Sequence, residues 1–544
     1  MAPLLLLSTA AALAAPAAGQ LDVHLHPLGV GRHHSGEQLE QPAKCPDGHP
    51  DASVDLPSPL PSALETSLQQ LRALLDTTVN SSYPALSGKP HAAALRIDYR
   101  GQRLWGHAAG ERDPKARDGK PDEGTIFRIG SVSKLFPVLM LYQLYDRGIV
   151  RSLDDPLSAY APGFQIPNVY SRSKRQFTLR QLASQLSGLP REAPCDMRDC
   201  NITTAEVIER LKRTPGAQWP EYTQASYSNL AYALLGNVLA EHVGMSFPAY
   251  VQQHILDPLG MQDTGFAITE EVERRMARSY VNETRTQNYD IGFVAPAGQM
   301  YSSLRDLAKL GRYYLGLAGE LFDDGLRREL LAPSFLFRDG DFLVGSPWEM
   351  QFLSGSRWLV LGKAGNLWGY SATFSVIPAL NLSLSALWSG QLDTTPFLEA
   401  AYARLLPGFL PALEAQQPPP RLPREPAKYV GDYRALQRGV DYRLEIRKKA
   451  LPGGGEALAV GIGLDTPQPQ EVVSLNFHDD RTAVLGSITN HSCFAVMASA
   501  QVGAWLTFEI LPDGEVASAE MPGSLYGVPF RRAAAAPPRA LLMV

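Results

Sequence analysis

The segment that most constrains this fold is Leu135-Phe-Pro-Val-Leu-Met-Leu-Tyr-Gln-Leu-Tyr-Asp-Arg-Gly148, introduced by Ile129-Gly-Ser-Val-Ser-Lys134. Apolar side chains occupy nearly every side of it, so a helix here is buried all round rather than amphipathic. Gly148 is placed to stop it. At its head stand Ser131 and Lys134, which i, i+3 spacing brings to one helix face. The helix dipole favours negative charge developing there. Burial lowers a lysine's pKa and suits the amine to take a proton. The pair predicts a serine nucleophile. Pro137 removes the hydrogen bond to the Ser133 carbonyl and predicts a kink just behind it.

Ser-x-x-Lys is a weak pattern, and Ser171-Arg-Ser-Lys174 matches it too. That copy lies among Arg172, Lys174 and Arg175, where a hydrated lysine stays protonated. A working serine also needs a proton relay and an oxyanion site. Tyr227-Ser-Asn229, at the start of an apolar helix, supplies a phenol for the relay and an amide to hold the lysine or a substrate carbonyl. Tyr280-Val-Asn282 is a rival in a polar stretch. Lys363-Ala-Gly365 follows the strand pattern Trp358–Gly362, and a glycine there lets backbone N–H groups approach a reacting carbonyl. The Gly-x-Ser-x-Gly elbow of α/β-hydrolases is absent, as is His-Glu-x-x-His.

Around these motifs the elements alternate in a definite order. A capping-box pattern at Ser62-Ala-Leu-Glu65 predicts a first helix. Strand patterns follow at Ala92–Tyr99 and Arg103–His107. Helices are expected from Thr178, Thr203, Asn229, Ser246 and Ser303. Strands return at Trp358–Gly362, Ser371–Ile377 and Leu382–Trp388, with Pro378–Asn381 as a hairpin turn. A last helix is expected at Thr394-Thr-Pro396, with proline at its first position. Strands at both ends and helices between predict an α+β domain: an antiparallel sheet with a helical insertion. It spans 61–410. Residues 411–426 read as a Pro-rich linker and 427–533 as a small all-β domain, with 534–544 a tail.

These residues resemble the serine β-lactamase and penicillin-binding-protein superfamily, and most nearly its class C β-lactamase and esterase branch. The resemblance rests on Phe127-Arg-Ile-Gly-Ser131-Val-Ser-Lys134, Leu186-Ser-Gly-Leu-Pro190, Tyr227-Ser-Asn229, Asp257-Pro-Leu-Gly-Met261, Gly298-Gln-Met-Tyr-Ser-Ser303 and Lys363-Ala-Gly365. It covers roughly 62–408, and Tyr429-Val-Gly-Asp-Tyr433 resembles the start of the β domain that some members carry. It implies a β-lactamase/transpeptidase-like fold and an acyl-enzyme on Ser131. Lys134 and Tyr227 would move protons. Asn229, Lys363 and Gly365 would line the pocket, and the N–H groups of Ser131 and Asn366 would form the oxyanion hole. The third motif reads Lys-Ala-Gly where the family has Lys-Thr-Gly. That favours ester hydrolysis or acyl transfer over β-lactam or D-Ala peptide cleavage. A relative that only binds is the reading of another class.

A net charge of −5 without a basic run argues against nucleic acid as a partner and leaves a small-molecule ester, amide or lactam. No cofactor or metal is expected, and the histidines at 24, 26, 33 and 34 read as part of a polar arm over 20–60. Residues 1–19 read as a signal peptide, and no later stretch reaches the roughly 18 apolar residues of a membrane span. The four cysteines Cys45, Cys195, Cys200 and Cys493 fit disulfides, with Cys195–Cys200 the short loop. The five sequons at Asn80, Asn201, Asn282, Asn381 and Asn490 fit glycosylation. All three predict an extracellular protein from a eukaryotic secretory pathway, such as a fungal one.

Overall fold

Antiparallel pairing accounts for both β systems of the computed structural model, which describes residues 52–79, 90–166, 177–196, 198–213, 219–281, 284–353, 358–417, 419–437, 440–451, 454–464, 470–485, 505–520 and 529–533. In chain order the framework is α1 (Ser62–Thr77), β1 (Ala92–Tyr99), β2 (Gln102–Gly110), α2 (Leu135–Asp146), α3 (Asn229–His242), α4 (Leu304–Tyr314), β3 (Phe335–Leu336), β4 (Phe342–Val344), β5 (Glu349–Phe352), β6 (Leu359–Leu367), β7 (Tyr370–Ile377), β8 (Leu382–Ser389) and α5 (Thr394–Glu414). The strands form one sheet in the order β2-β1-β8-β7-β6-β5-β4-β3. The first and last strands of the domain therefore lie side by side, Ala92 opposite Ser389 and Tyr99 opposite Leu382. The helical insertion leaves and re-enters this sheet.

Each face of the sheet has its own core. Ala93, Leu95, Ile97 and Leu384 point to α1 and α5. Ala94, Leu361, Phe374 and Leu387 point to the helical insertion, with α2 and α3 at its centre. Because both faces are covered, every residue of β7 and β8 is buried. α1 and α5 meet closely at Gly408, where a Cβ would stand 2.6 Å from the Ala63 carbonyl.

The C-terminal strands close into an eight-stranded barrel: β9 (Gly431–Gln437), β10 (Val440–Ala450), β11 (Glu456–Leu464), β12 (Gln470–Phe477), β13 (Thr482–Leu485), β14 (Trp505–Ile510), β15 (Val516–Glu520) and β16 (Phe530–Arg532). Closure removes free edges. Tyr433, Leu444, Leu475, Phe477, Phe508 and Phe530 fill the interior as a separate core.

Helices start after Thr178 and Thr203 as expected, each with a capping box. Several boundaries differ, and four of them bear on the layout. Ser62 is the first helical residue rather than the cap, because Pro61 holds the extended conformation before it and Glu65 N–H donates to the Pro61 carbonyl at 3.0 Å. Residues 52–60 are not part of a free arm: Tyr99 OH donates to the Val54 carbonyl at 2.6 Å, and Ala52, Val54, Leu56 and Leu60 join the α1–α5 core. α5 is capped by Asp393, so Pro396 is its third residue, and the helix continues through Pro407 and Pro411 to Glu414. Its apolar face, with Phe409, Ala412 and Leu413, holds those last turns against the sheet and takes 411–414 out of the linker. β6 runs on through Lys363-Ala-Gly-Asn-Leu367 because β7 pairs with it along that whole length.

Candidate active site

Ser131 is held by a change of helix type. Residues Gly130–Lys134 form a 3-10 turn and the α-helix begins at Leu135. Pro137 thus falls in the first turn of α2, where a missing N–H leaves no bond unmade, and the expected kink becomes this 3-10 entry. Ser133 is fixed as well, since its hydroxyl accepts the Met300 N–H at 3.1 Å.

Two glycines set the distance from this turn to β6. Gly130 has φ +50°, and a Cβ on it would meet the Asn366 backbone at 2.8–2.9 Å. A Cβ on Gly365 would collide with the Ile129 carbonyl and stand 2.9 Å from Ser131 N. Backbone touches backbone here, and only glycine permits it. Ala364 N–H donates to Glu349 Oε2 at 3.0 Å, so it points away from β7. Asn366, two residues on, shares that direction. Pairing of β5 with β6 stops at Gly362, so the Asn366 N–H faces the open edge beside Ser131. Ser131 N–H lies in the first turn of its helix, where no intrahelical acceptor reaches. The N–H groups of Ser131 and Asn366, the two expected to form an oxyanion hole, are thus both left without a partner in their own helix or strand pairing.

The side chains converge on the same point. Tyr227 OH donates to Ser131 Oγ at 2.6 Å, and Lys134 Nζ lies 2.9 Å from the same oxygen. Lys134 is fully buried and also donates to Asn229 Oδ1 at 2.7 Å and the Ala297 carbonyl at 2.8 Å. As an ammonium it donates to all three; on losing a proton it would keep two donors for Asn229 and Ala297 and turn a lone pair to the Ser131 hydroxyl. Burial pushes the Lys134 pKa down and the Lys363 cation pushes it further, against the opposing Tyr227. Burial alone would raise Tyr227, but Lys134 and Lys363 outweigh it and hold the phenol below its ordinary value. Lys134 Nζ lies 4.8 Å from the Tyr227 ring centre, Lys363 Nζ 5.3 Å, and the Arg191 guanidinium 4.8 Å.

Lys363 is 1% exposed. Its ammonium is bound by Glu349 Oε1 at 2.5 Å and donates to the Ala364 carbonyl at 2.9 Å. Burial opposes its charge, yet Glu349 and Tyr227 hold its pKa above the ordinary value. Three neighbours are not among the expected site residues: Glu349, Glu192 and the Ala297 carbonyl. Glu192 accepts from Asn229 Nδ2 at 2.8 Å. Its only sequence signal is its place directly after Leu186-Ser-Gly-Leu-Pro190-Arg191. Asn229 thus holds the lysine and not an open substrate position.

The other candidates fall elsewhere. Tyr280 donates its hydroxyl to Asp113 at 2.9 Å. Cys195 and Cys200 form the short disulfide, with Cα atoms 5.4 Å apart. Trp368 is exposed at the β6–β7 turn against Tyr289, while Tyr370 is buried and donates to the Ala277 carbonyl. Asn201 is exposed. Asn381 is partly buried and its amide nitrogen donates to the Ala52 carbonyl at 3.0 Å, so a glycan there would compete with that bond. Residues 1–51, which hold the expected signal peptide and Cys45, lie outside the described residues, as do Asn80, Ser171, Lys174, Asn282, Asn490 and Cys493. No helix among the described residues is long and apolar enough to cross a membrane.

Comparison with known proteins gives this geometry a lineage. The β-lactamase family model matches residues 87–408. A human β-lactamase-like 1 protein is 40% identical over 340 residues, 60% of this chain and 67% of its own. Beta-lactamase-like protein 2 of Dictyostelium discoideum is 34% identical over 325 residues, 58% of this chain and 59% of its own, so the match spans little more than half of that relative. A class C β-lactamase structure from Rhodobacter sphaeroides superposes with a TM-score of 0.52 at 20% identity, covering 64% of this chain and all of its own. The match spans more than half of the chain and takes in both motif-bearing ends of the sheet: the chain belongs to the β-lactamase family of the serine β-lactamase and transpeptidase superfamily.

Proposed function

We propose that the protein is an extracellular serine hydrolase that cleaves carboxylic esters, or transfers their acyl groups, through an acyl-enzyme on Ser131. The observation that carries this reading is the convergence of Tyr227 OH and Lys134 Nζ on Ser131 Oγ, at 2.6 and 2.9 Å. Ser131 Oγ attacks the carbonyl carbon and its proton passes to the Tyr227–Lys134 pair, which titrates as a unit. The oxyanion faces the N–H groups of Ser131 and Asn366, each worth about 2.7–4 kcal/mol in the transition state. Collapse expels the alcohol, which takes the proton back. Water, or a second alcohol or amine, repeats the sequence on the acyl-enzyme and releases the acid or the transfer product.

Esters are favoured over β-lactams and D-Ala peptides by what surrounds Lys363. A substrate carboxylate would have to compete with Glu349 for that ammonium, and Ala364 offers no hydroxyl. Turnover of p-nitrophenyl esters and of a chromogenic cephalosporin by the purified protein tests the choice. Ester turnover in excess, absent in Ser131→Ala, supports the reading. Faster cephalosporin turnover would make it a β-lactamase instead, and a folded protein inert to both would leave a pocket that only binds. Secretion and glycosylation, at the exposed Asn201 first, belong to the same proposal. They are tested by N-terminal sequencing and glycosidase shift of protein secreted from eukaryotic cells.

A further inference from the structure

A cleft of about 1040 Å³ runs along α5, between that helix and the outer strands β4 and β5. Its helical wall is Pro396, Glu399, Ala403, Pro407, Pro411 and Glu414. Spacings of three and four put these on one helix face. From the first to the last the helix rises by about 27 Å, which is the length of about eight residues of extended chain. Phe342, Gln351 and Phe352 form the opposite wall.

Three features of the cleft define what fits it. The first is apolar surface: Leu406, Leu410 and Phe342 line it, and Phe352 is left 40% exposed beside them. The second is charge. Asp339, Asp341, Glu399 and Glu414 all border the cleft, and among the described residues it has no lysine, arginine or histidine in its lining and none of the four is paired with a cation. The third is unpaired hydrogen-bonding groups. Pro407 and Pro411 carry no N–H, so the carbonyls of Ala403 and Pro407 lack the donor that a helix supplies four residues on. Gln351 stands opposite Phe342 and Val360, and Val360 belongs to the α1–α5 core, so the Gln351 side chain is directed to the α5 face of the sheet. That side chain is 9% exposed, and its Nε2 has no hydrogen-bond partner among the described residues.

An anion would be repelled here. A purely apolar ligand would leave the carbonyls and the Gln351 amide unpaired and would take water from the carboxylates. A helix keeps its own backbone groups to itself. An extended peptide meets all three demands. Its N–H groups serve the helix carbonyls and its C=O groups serve Gln351. Its side chains alternate, so apolar ones reach the floor while basic ones reach the rim. We propose that this cleft docks an extended basic segment of a partner protein, about eight residues long, in which apolar side chains alternate with Lys or Arg. The proposal is independent of the hydrolase reading of Ser131.

The test is fluorescence anisotropy of three labelled octapeptides on the full chain: alternating Lys-Leu, alternating Lys-Ser and alternating Glu-Leu. Lys-Leu should bind about tenfold or more tighter than either control, because only it offers both charge and apolar surface, and its affinity should fall as salt is added. Ala403→Trp, which fills the cleft and keeps its charge, should abolish binding. Glu399→Gln combined with Glu414→Gln should weaken it about threefold to tenfold, the value of two exposed ion pairs. Circular dichroism reports whether each variant keeps the wild-type fold; should Ala403→Trp lose it, the double glutamine variant, altered only at exposed side chains, decides. The proposal is overturned by wild-type protein that ignores Lys-Leu up to millimolar concentration, by Lys-Ser or Glu-Leu binding as well as Lys-Leu, by folded Ala403→Trp binding as wild type does, or by the double variant losing nothing. A dimer of the chain alone in sedimentation that Ala403→Trp disperses would also overturn it, since the occupant would then be a second copy.

Discussion

Tyr227 is the residue on which the electrostatics of the site meet. Its ring has Lys134, Lys363 and Arg191 around it, and its hydroxyl touches the nucleophile. Catalysis needs the Tyr227–Lys134 pair to be able to receive a proton. Both pKa values are lowered, so activity should rise with pH through an apparent value below that of a free phenol or ammonium, and be lost below it. Lys363→Gln removes a cation that lowers both groups and leaves Glu349, which raises both. The acidic limb of kcat/KM should therefore move to higher pH, as a pH profile with a nitrophenyl ester would show; an unmoved limb contradicts this account of the base. Tyr227→Phe should cost about 10²–10⁴ in kcat/KM, the usual range for a proton-transfer group. Ser131, Lys134, Tyr227, Asn229 and Lys363 were legible because each sits in a short ordered motif. Glu349 and Glu192 were not, because their partners lie 14 and 37 residues away and neither carries a local pattern.

At the scale of elements, the site depends on how closely backbones approach. Gly365→Ala forces a Cβ into the Ile129 carbonyl, an atom of rigid backbone. The β6 edge must then move from the 3-10 turn and take the Asn366 N–H with it. A loss of about 10²–10³ in kcat is expected, that of one oxyanion donor, and steady-state kinetics at saturating ester would measure it. Gly408→Ala places a Cβ 2.6 Å from both the Ala63 carbonyl and Ser67 Oγ between α1 and α5. Overpacking of this kind costs about 1–3 kcal/mol, readable by denaturant unfolding, and should leave the pH profile in place because it acts on the far face of the sheet. The buried α2 was legible from its all-round apolarity. The extent of β6 was not, because Lys-Ala-Gly-Asn has no strand propensity and only pairing with β7 makes it a strand. The 3-10 entry was also hidden: sequence alone marks Pro137 as a flaw in a helix, while the fold uses it in a first turn.

For the whole molecule, cores decide what unfolds together. The two clusters of the catalytic domain lie on opposite faces of one sheet and share its strands. The barrel's cluster is made only of residues from 429 onward. Calorimetry should show two transitions, and Phe477→Ala, which empties part of the barrel core, should shift one and leave the other; a single transition shifted as a whole would contradict separate cores. The α+β order and the β-rich C-terminal region were legible from where strand patterns cluster. Closure of the barrel was not, since it depends on β9 meeting β16 across about a hundred residues.

The claim on which the rest stands is that Ser131, and no other serine, is an activated nucleophile. Intact-mass and peptide mapping after reaction with a fluorophosphonate tests it most directly. One adduct per chain on the peptide bearing Ser131 is the predicted result, absent in Ser131→Ala and slowed in Tyr227→Phe. A folded protein that takes no adduct, or takes it at Ser171, would contradict the account.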